Sequence, residues 1–159
     1  MRDRPHMSFM LVPSSQDDFG HLFELRLAAM RESLERIGRF DRQRAIERFG
    51  STFWPEHTCV IISADGQLKG CVALGPSEGA LILEHFYILP EWQNKGLGGA
   101  VLLDLLDEAD SAGLPVRLDV LRQSDAARLY VRHGFIETHR DGWDVYYERA
   151  VQSAQDSSR

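Results

Sequence analysis

Hydrophobic positions along the chain change repeatedly between strand spacing and helix spacing. Seven short apolar runs rich in β-branched residues predict strands at residues 8–12, 58–63, 68–74, 80–89, 116–121, 135–139 and 143–148. Asp-Gly pairs at Asp65-Gly66 and Asp141-Gly142 predict hairpin turns inside this series. The pattern therefore predicts a mixed α/β chain in which neighbouring strands are largely antiparallel.

Four segments between these strands have the spacing of helices. Ser15 and Asp18 form a capping-box pattern before a first helix that is expected to run to Gly38, and Asp41 is expected to cap a second. The third helix starts at Gly98 and carries its apolar residues on one side, at Val101, Leu102, Leu105, Leu106 and Ala109. A fourth is predicted over residues 124–133, with Ser124 as its N-cap.

Length and composition predict one globular domain. The 159 residues suffice for a single hydrophobic core, expected over residues 1–150, with a polar disordered tail at 151–159. No apolar run approaches the ~20 residues of a membrane span, and residues 1–7 lack the pattern of an export signal. The expected location is the cytoplasm.

Charge and metal-ligand spacing exclude two further classes of function. A net charge of -6 disfavours nucleic acid as a partner, because binding a polyanion needs clustered Lys and Arg. The six histidines and two cysteines show no spacing typical of a metal site, and Cys59 and Cys71 fall inside strand-like runs. We expect neither a metal ion nor a disulfide.

The segment between the fourth strand and the third helix is rich in glycine. Gly96, Gly98 and Gly99 supply three glycines within four positions, so backbone N–H groups are accessible at a helix N-terminus that favours anions. This predicts a phosphate-bearing ligand. A dinucleotide-binding Rossmann motif is disfavoured because Val101 stands where its third glycine would be, and a P-loop lacks its Gly-Lys-Ser/Thr.

The motif Gln93-x-x-Gly96-x-Gly98, preceded by Ile88-Leu89-Pro90, resembles the GNAT superfamily of N-acetyltransferases. The order of elements and a second motif agree with it, namely Leu129-Tyr130 on a helix followed by Gly134-Phe135. The resemblance implies a central, mostly antiparallel, twisted sheet flanked by about four helices. It also implies that the sheet is splayed between its fourth and fifth strands, with acetyl-CoA in the gap.

The same resemblance implies which residues bind acetyl-CoA. Backbone amides of the glycine-rich loop would hold the pyrophosphate, and the end of the fourth strand would border the thioester. The implied residues are Phe86, Tyr87, Ile88, Gln93, Asn94, Lys95, Gly96, Leu97, Gly98, Gly99 and Ser124. Ser124 stands where many members of the family have Asn before the fourth helix, so it is a departure from the usual pattern.

The resemblance also implies the catalytic residues. Tyr130 would be the general acid that protonates the leaving thiolate. Glu84 is the candidate base, directly or through water, because it precedes Ile88 by four residues and lies on the same face of a regular strand. A β-bulge in this strand would change the facing and make His85 the competitor.

The predicted function is transfer of an acetyl group from acetyl-CoA to a primary amine. An acyl-CoA-binding sensor or partner module with little activity is the alternative, and a nicotinamide-dependent enzyme is a third hypothesis. The sequence does not decide whether the amine belongs to a small molecule, a peptide or a protein. It leaves a homodimer as an expectation that rests on the exposed sheet edges of this architecture.

Overall fold

The computed structural model describes residues 8–31, 34–35, 41–122 and 124–153. The strands are β1 (Phe9–Pro13), β2 (Thr58–Ser63), β3 (Leu68–Ser77), β4 (Ala80–Ile88), β5 (Val116–Leu121), β6 (Ile136–Arg140) and β7 (Asp144–Arg149). Their pairing order is β1-β2-β3-β4-β5-β7-β6. β1/β2, β2/β3, β5/β7 and β6/β7 are antiparallel, whereas β4/β5 is parallel. The prediction of a mostly antiparallel sheet is confirmed.

The α-helices whose bounds the structure describes are α1 (Phe19–Ala29), α2 (Arg42–Thr52), α3 (Leu97–Ala112) and α4 (Ala127–Arg132). The predicted capping box of Ser15 and Asp18 is present, but it caps the N-terminus of a short 3-10 helix, Gln16–Asp18, that precedes α1. Asp41 caps α2 as predicted, accepting from the N–H groups of Gln43 and Arg44. The predicted helix end at Gly38 lies outside the described residues. None of the helices in these ranges is long and apolar enough to cross a membrane.

The chain divides into two compact units. The first comprises the described parts of Met1–Ala73 and His85–Leu97. Its core is built on Leu22, Phe23, Leu25, Phe49 and Cys71. Four phenylalanine rings of α1, α2 and the residues just after α2 lie within 6.5 Å of a neighbouring ring, so aromatic packing stabilises this helix pair.

The second unit comprises Leu74–Glu84 and the described part of Gly98–Arg159. The predicted apolar face of α3 is confirmed, since Val101, Leu102, Leu105, Leu106 and Ala109 are all buried. α3 ends at Ala112, and the φ of 71° at the following Gly113 is a helix-terminating conformation suited to glycine. Arg149 at the end of β7 forms two hydrogen bonds with Asp110 of α3, at 2.9 and 3.0 Å.

The chain after β7 continues this contact. The backbone N–H of Gln152 donates to Asp110 at 3.0 Å. Residues 154–159, most of the predicted tail, lie outside the described residues. The division at residue 150 therefore stays a prediction.

The β4/β5 pairing is short. In the described chain it joins Leu81 with Val116 and Ile82 with Arg117. β5 then continues along β7 as far as the pair Leu121 and Asp144. The widening expected between β4 and β5 stays a prediction.

Candidate functional site

The glycine-rich loop begins with a tight, internally hydrogen-bonded turn. Pro90–Trp92 is a 3-10 helix, and the Trp92 N–H donates to the carbonyl oxygen of Leu89 at 2.8 Å. The side-chain amide of Gln93 donates to the carbonyl oxygen of Ile88, also at 2.8 Å. Gln93, the first residue of the predicted motif, therefore ties the loop to the end of β4.

The loop then turns through two left-handed residues into α3. Asn94 has a φ of 61° and Gly96 a φ of 87°. Glycine adopts this conformation without the steric penalty of a Cβ, and asparagine tolerates it better than most residues. α3 starts at Leu97. The first N–H groups of a helix have no partner within it, so this turn ends at a set of available donors.

Gly98 and Gly99 lie in the second unit, on the first turn of α3. A Cβ on Gly98 would meet Leu129 at 3.6 Å, and one on Gly99 would meet the His133 ring at 3.8 Å. Both are ordinary van der Waals distances, so packing against α4 leaves space for alanine at either position. Protein packing therefore does not explain these two glycines.

His85 interrupts the regular conformation of β4. Its φ is 50°, which is rare for a residue with a Cβ and breaks the alternation of a strand. Its carbonyl oxygen accepts a hydrogen bond from the Cys71 thiol, and its Nε2 lies 3.1 Å from the Thr52 carbonyl oxygen. The irregularity that the sequence analysis considered for this strand thus falls at the residue after Glu84.

The remaining predicted residues of β4 lie in the first unit. The Tyr87 hydroxyl accepts from Nε of Arg26 at 3.3 Å, and the carbonyl oxygen of Ile88 accepts from Gln93. Phe86, between them, is half-buried. Their roles toward acetyl-CoA stay predictions.

Tyr130 lies in the interior of the second unit. It is 7% exposed, and its ring meets that of Phe135 edge-on with the centroids 5.5 Å apart. It is carried by α4, the same helix that places Leu129 against Gly98. The structure thus brings the start of α3 together with the helix of the predicted general acid.

Ser124 is not the N-cap of the fourth helix, so that prediction is wrong. α4 begins at Ala127 and spans six residues. Ser124 instead lies in the preceding turn, where its hydroxyl accepts from the Ala126 N–H at 3.1 Å. The sequence shows a capping residue but not how much of the following segment is turn rather than helix.

Asp119 is a candidate that the sequence analysis missed. It lies on β5, opposite Tyr146 of β7. The pKa of its carboxyl group is raised, mainly by partial burial and further by the negative charges of Asp144, Glu84 and Asp141. Glu84, the predicted base, is therefore electrostatically linked to a second carboxyl group. Only the strand register brings these residues together, so a search for local motifs does not find them.

Groups of three or more His, Cys, Asp or Glu side chains suited to a metal ion do not occur in the described parts of the chain.

Comparison with known proteins identifies the family. The family model of the acetyltransferase (GNAT) domain matches residues 55–137, which is more than half of the chain. The matched segment includes the glycine-rich loop, Glu84 and Tyr130. No curated protein matches the sequence significantly.

Solved structures share the fold at low sequence identity. The PaiA N-acetyltransferase of Thermoplasma acidophilum, solved with coenzyme A, is 22% identical with a TM-score of 0.70, covering 91% of this chain and 99% of its own. The ribosomal-protein-S18-alanine N-acetyltransferase of Escherichia coli is 18% identical with a TM-score of 0.69, covering 92% and 96%. PH1933 of Pyrococcus horikoshii is 17% identical with a TM-score of 0.73, covering 92% and 100%.

The order of elements, the loop that leads from β4 into α3 and the matching family model lead to one assignment. The chain belongs to the GNAT family of acetyltransferases, which take their acetyl group from acetyl-CoA.

Proposed function

We propose that this protein transfers the acetyl group of acetyl-CoA to a primary amine by direct attack of the amine. The main support for this proposal is the conformation of the glycine-rich loop. The left-handed φ of Gly96 favours glycine at that position. The surrounding protein has space for a Cβ at Gly98 and Gly99, and yet both residues are glycine. Backbone amides at the start of α3 would bind the pyrophosphate.

The acceptor amine needs help to lose its proton. A lysine-like amine with a pKa of ~10.4 is more than three units from its neutral form at pH 7, a difference of roughly 4–5 kcal/mol. Glu84 is the proposed base, directly or through one water molecule. Its negative charge contributes to the raised pKa of the Asp119 carboxyl, so the two carboxyl groups share one electrostatic environment.

Tyr130 is the proposed general acid. Attack of the amine on the thioester carbonyl forms the new C–N bond, and breaking of the C–S bond releases the thiolate. A phenol with a reference pKa of ~10 can donate its proton to that thiolate at small energetic cost. The N–H near Ile88 would polarise the carbonyl oxygen while charge develops on it.

The first experiment is calorimetric titration of the protein with acetyl-CoA, coenzyme A and NADH in parallel, followed by thiol-release assays over a panel of amines. The panel includes polyamines, amino acids and peptides with free N-termini. Micromolar binding of acetyl-CoA together with turnover of at least one amine supports the proposal. Binding without turnover across the panel favours the acyl-CoA-binding module, and no binding by the folded protein refutes both.

A further inference from the structure

The sequence contains two lysines, and both contact the indole ring of Trp92. Nζ of Lys69 lies 3.4 Å from the ring centroid, and Nζ of Lys95 lies 5.1 Å from it. Both distances are within the ~6 Å at which a cation is attracted to an aromatic face. Trp92 closes the 3-10 turn that starts the glycine-rich loop.

Lys69 is buried, with 8% of its surface exposed. In the ranges that the structure describes, neither Lys69 nor Lys95 has a carboxylate within 4.0 Å. Lys69 interacts only weakly with Asp65. The pKa of Asp65 is lowered mainly by the hydrogen bond from Ser63, and the charge of Lys69 makes the smallest contribution to it. Among the described residues Arg149 is also a buried cation, and it is paired with Asp110.

This arrangement places two positive charges on one ring beside the loop. The indole face offsets part of the cost of burying Lys69, but two ammonium groups at the same ring repel each other. An anion bound nearby would remove that repulsion. The site is therefore electrostatically suited to a ligand with several negative charges.

Lys69 is also tied to the same turn through its backbone. Its carbonyl oxygen accepts from the Leu89 N–H at 2.8 Å, and the Leu89 carbonyl oxygen accepts from the Trp92 N–H at 2.8 Å. The backbone of Lys69 therefore contacts Leu89 and its side chain contacts Trp92, which are the two ends of segment 89–92. Movement of the Lys69 side chain would release the Trp92 ring from one of its two cations.

We propose that Lys69, acting through Trp92, positions the glycine-rich loop for the phosphate groups of acetyl-CoA, and that Lys95 supplies the second positive charge toward them. Lys69 is a positioning residue in this proposal. The inference rests on the proposed function, because it assumes that the loop binds acetyl-CoA. It adds two residues outside the glycine motif, Lys69 and Trp92, to the determinants of coenzyme binding.

The test compares acetyl-CoA with acetyl-pantetheine, which carries the same thioester but no nucleotide phosphates. The variants are Lys69→Met, Lys69→Arg and the control Arg42→Met, which removes a cation from the face of Phe23 in α1. For K69M we expect a rise of about tenfold in the Kd and KM for acetyl-CoA, with kcat within about twofold of wild type. Its kcat/KM with acetyl-pantetheine should not change.

The two further variants separate charge from packing. K69R keeps a cation over the indole and should restore the acetyl-CoA affinity to within about threefold of wild type. R42M should leave the Kd for acetyl-CoA unchanged. If K69M does not fold, Lys95→Met at an exposed position carries the test, with the same selective loss of acetyl-CoA affinity expected.

Different results contradict the positioning role of Lys69 and the proposed acetyltransferase function. If the wild-type protein binds acetyl-CoA and K69M binds it equally well, the positioning role is wrong and the proposed function stands. An equal loss with acetyl-CoA and acetyl-pantetheine also contradicts the role, because it shows a general disturbance of the loop. If the wild-type protein binds no acetyl-CoA, both proposals are wrong.

Discussion

The Cys71 thiol on β3 donates a hydrogen bond to the carbonyl oxygen of His85 on β4, with the sulfur and oxygen 3.2 Å apart. Cys71 is fully buried, and burial raises the pKa of its thiol to about 12. His85 is the residue of β4 with a φ of 50°. A core side chain therefore stabilises the irregular backbone directly after the candidate base Glu84.

This burial predicts that Cys71 does not react in the folded protein. Thiolate is the reactive form, and a thiol with a pKa of about 12 is almost wholly protonated at pH 8. In the variant Cys59→Ser, a thiol reagent such as DTNB should modify Cys71 only at the rate of unfolding, and at once in denaturant. Rapid modification of the folded variant would contradict the burial of Cys71.

Two glycine-to-alanine variants separate backbone strain from ligand access. Gly96→Ala should cost about 1–2 kcal/mol of folding stability, because alanine disfavours the left-handed φ of 87°. Gly98→Ala should keep or slightly raise stability, because its Cβ would meet Leu129 at an unstrained 3.6 Å.

The affinity for acetyl-CoA should respond differently from stability. Gly98→Ala should raise the Kd for acetyl-CoA about tenfold, because its methyl group occupies the space that the ligand needs. Urea denaturation and calorimetry on the same preparations measure the two effects. Unchanged affinity in G98A would show that this glycine has no role in ligand approach.

Local patterns predicted most of the elements because they are set by neighbours in sequence. The apolar face of α3, the Asp41 cap and the bounds of β2 and β5 all follow from spacing and from residues that favour particular turns or caps. The prediction that Ser124 caps the fourth helix was wrong because a serine hydroxyl accepts a backbone hydrogen bond equally well in a turn. A short helix such as α4 is decided by tertiary packing rather than by its first residue.

Other features depend on contacts between residues far apart in sequence. Lys69 and Trp92 are 23 positions apart in the numbering, and nothing in either local segment indicates that they meet. Asp119 and Glu84 belong to different strands, and their interaction follows from the fold. The local sequence predicts a continuous strand through His85 and does not indicate the left-handed backbone of this residue.

The raised pKa of Asp119 predicts a stabilising substitution at neutral pH. A carboxyl whose folded-state pKa is raised binds its proton more tightly in the folded chain, so its contribution to stability is present at low pH and is lost as the pH rises through that pKa. Asp119→Asn should therefore raise the Tm by about 1–2 °C at pH 7. Thermal unfolding at pH 7 and below pH 4 measures the difference, which should disappear at the lower pH.

The same measurement on Asp107→Asn is the control, because Asp107 lies on the exposed face of α3. Its Tm should stay close to that of the wild type at both pH values. A fall in the Tm of D119N at pH 7 would show that the Asp119 carboxylate stabilises the fold, contrary to the direction of its pKa.

The Asp110–Arg149 pair predicts the opposite dependence on pH. The hydrogen bonds from Arg149 lower the pKa of Asp110, so the ionised carboxylate stabilises the fold above the unfolded pKa and loses this effect as the pH falls. Asp110→Asn should cost about 3 kcal/mol at pH 7, because it leaves the Arg149 guanidinium buried without its counter-ion. The difference from wild type should shrink toward pH 2.

An exposed pair provides the comparison for that experiment. Glu137 and Arg140 form an ion pair at the surface, with 37% and 51% of their side chains exposed. Glu137→Gln should change the free energy of unfolding very little, because water and salt screen exposed charges. Urea denaturation of D110N and E137Q at pH 7 should therefore differ clearly, and equal effects would contradict a special role for Asp110.

Tyr130→Phe tests the proposed proton transfer most directly. The substitution keeps the ring that packs edge-on against Phe135 and removes only the hydroxyl group. If that hydroxyl protonates the leaving thiolate, kcat should fall about 10²–10³-fold, while the Kd for acetyl-CoA stays within about threefold. Tyr147→Phe, at another buried tyrosine of the same unit, is the matched control and should keep its kcat. Steady-state kinetics at several pH values, with calorimetry for the Kd, separate a lost proton donor from lost binding. Full activity of folded Y130F at every pH would assign the proton transfer to another group or to water.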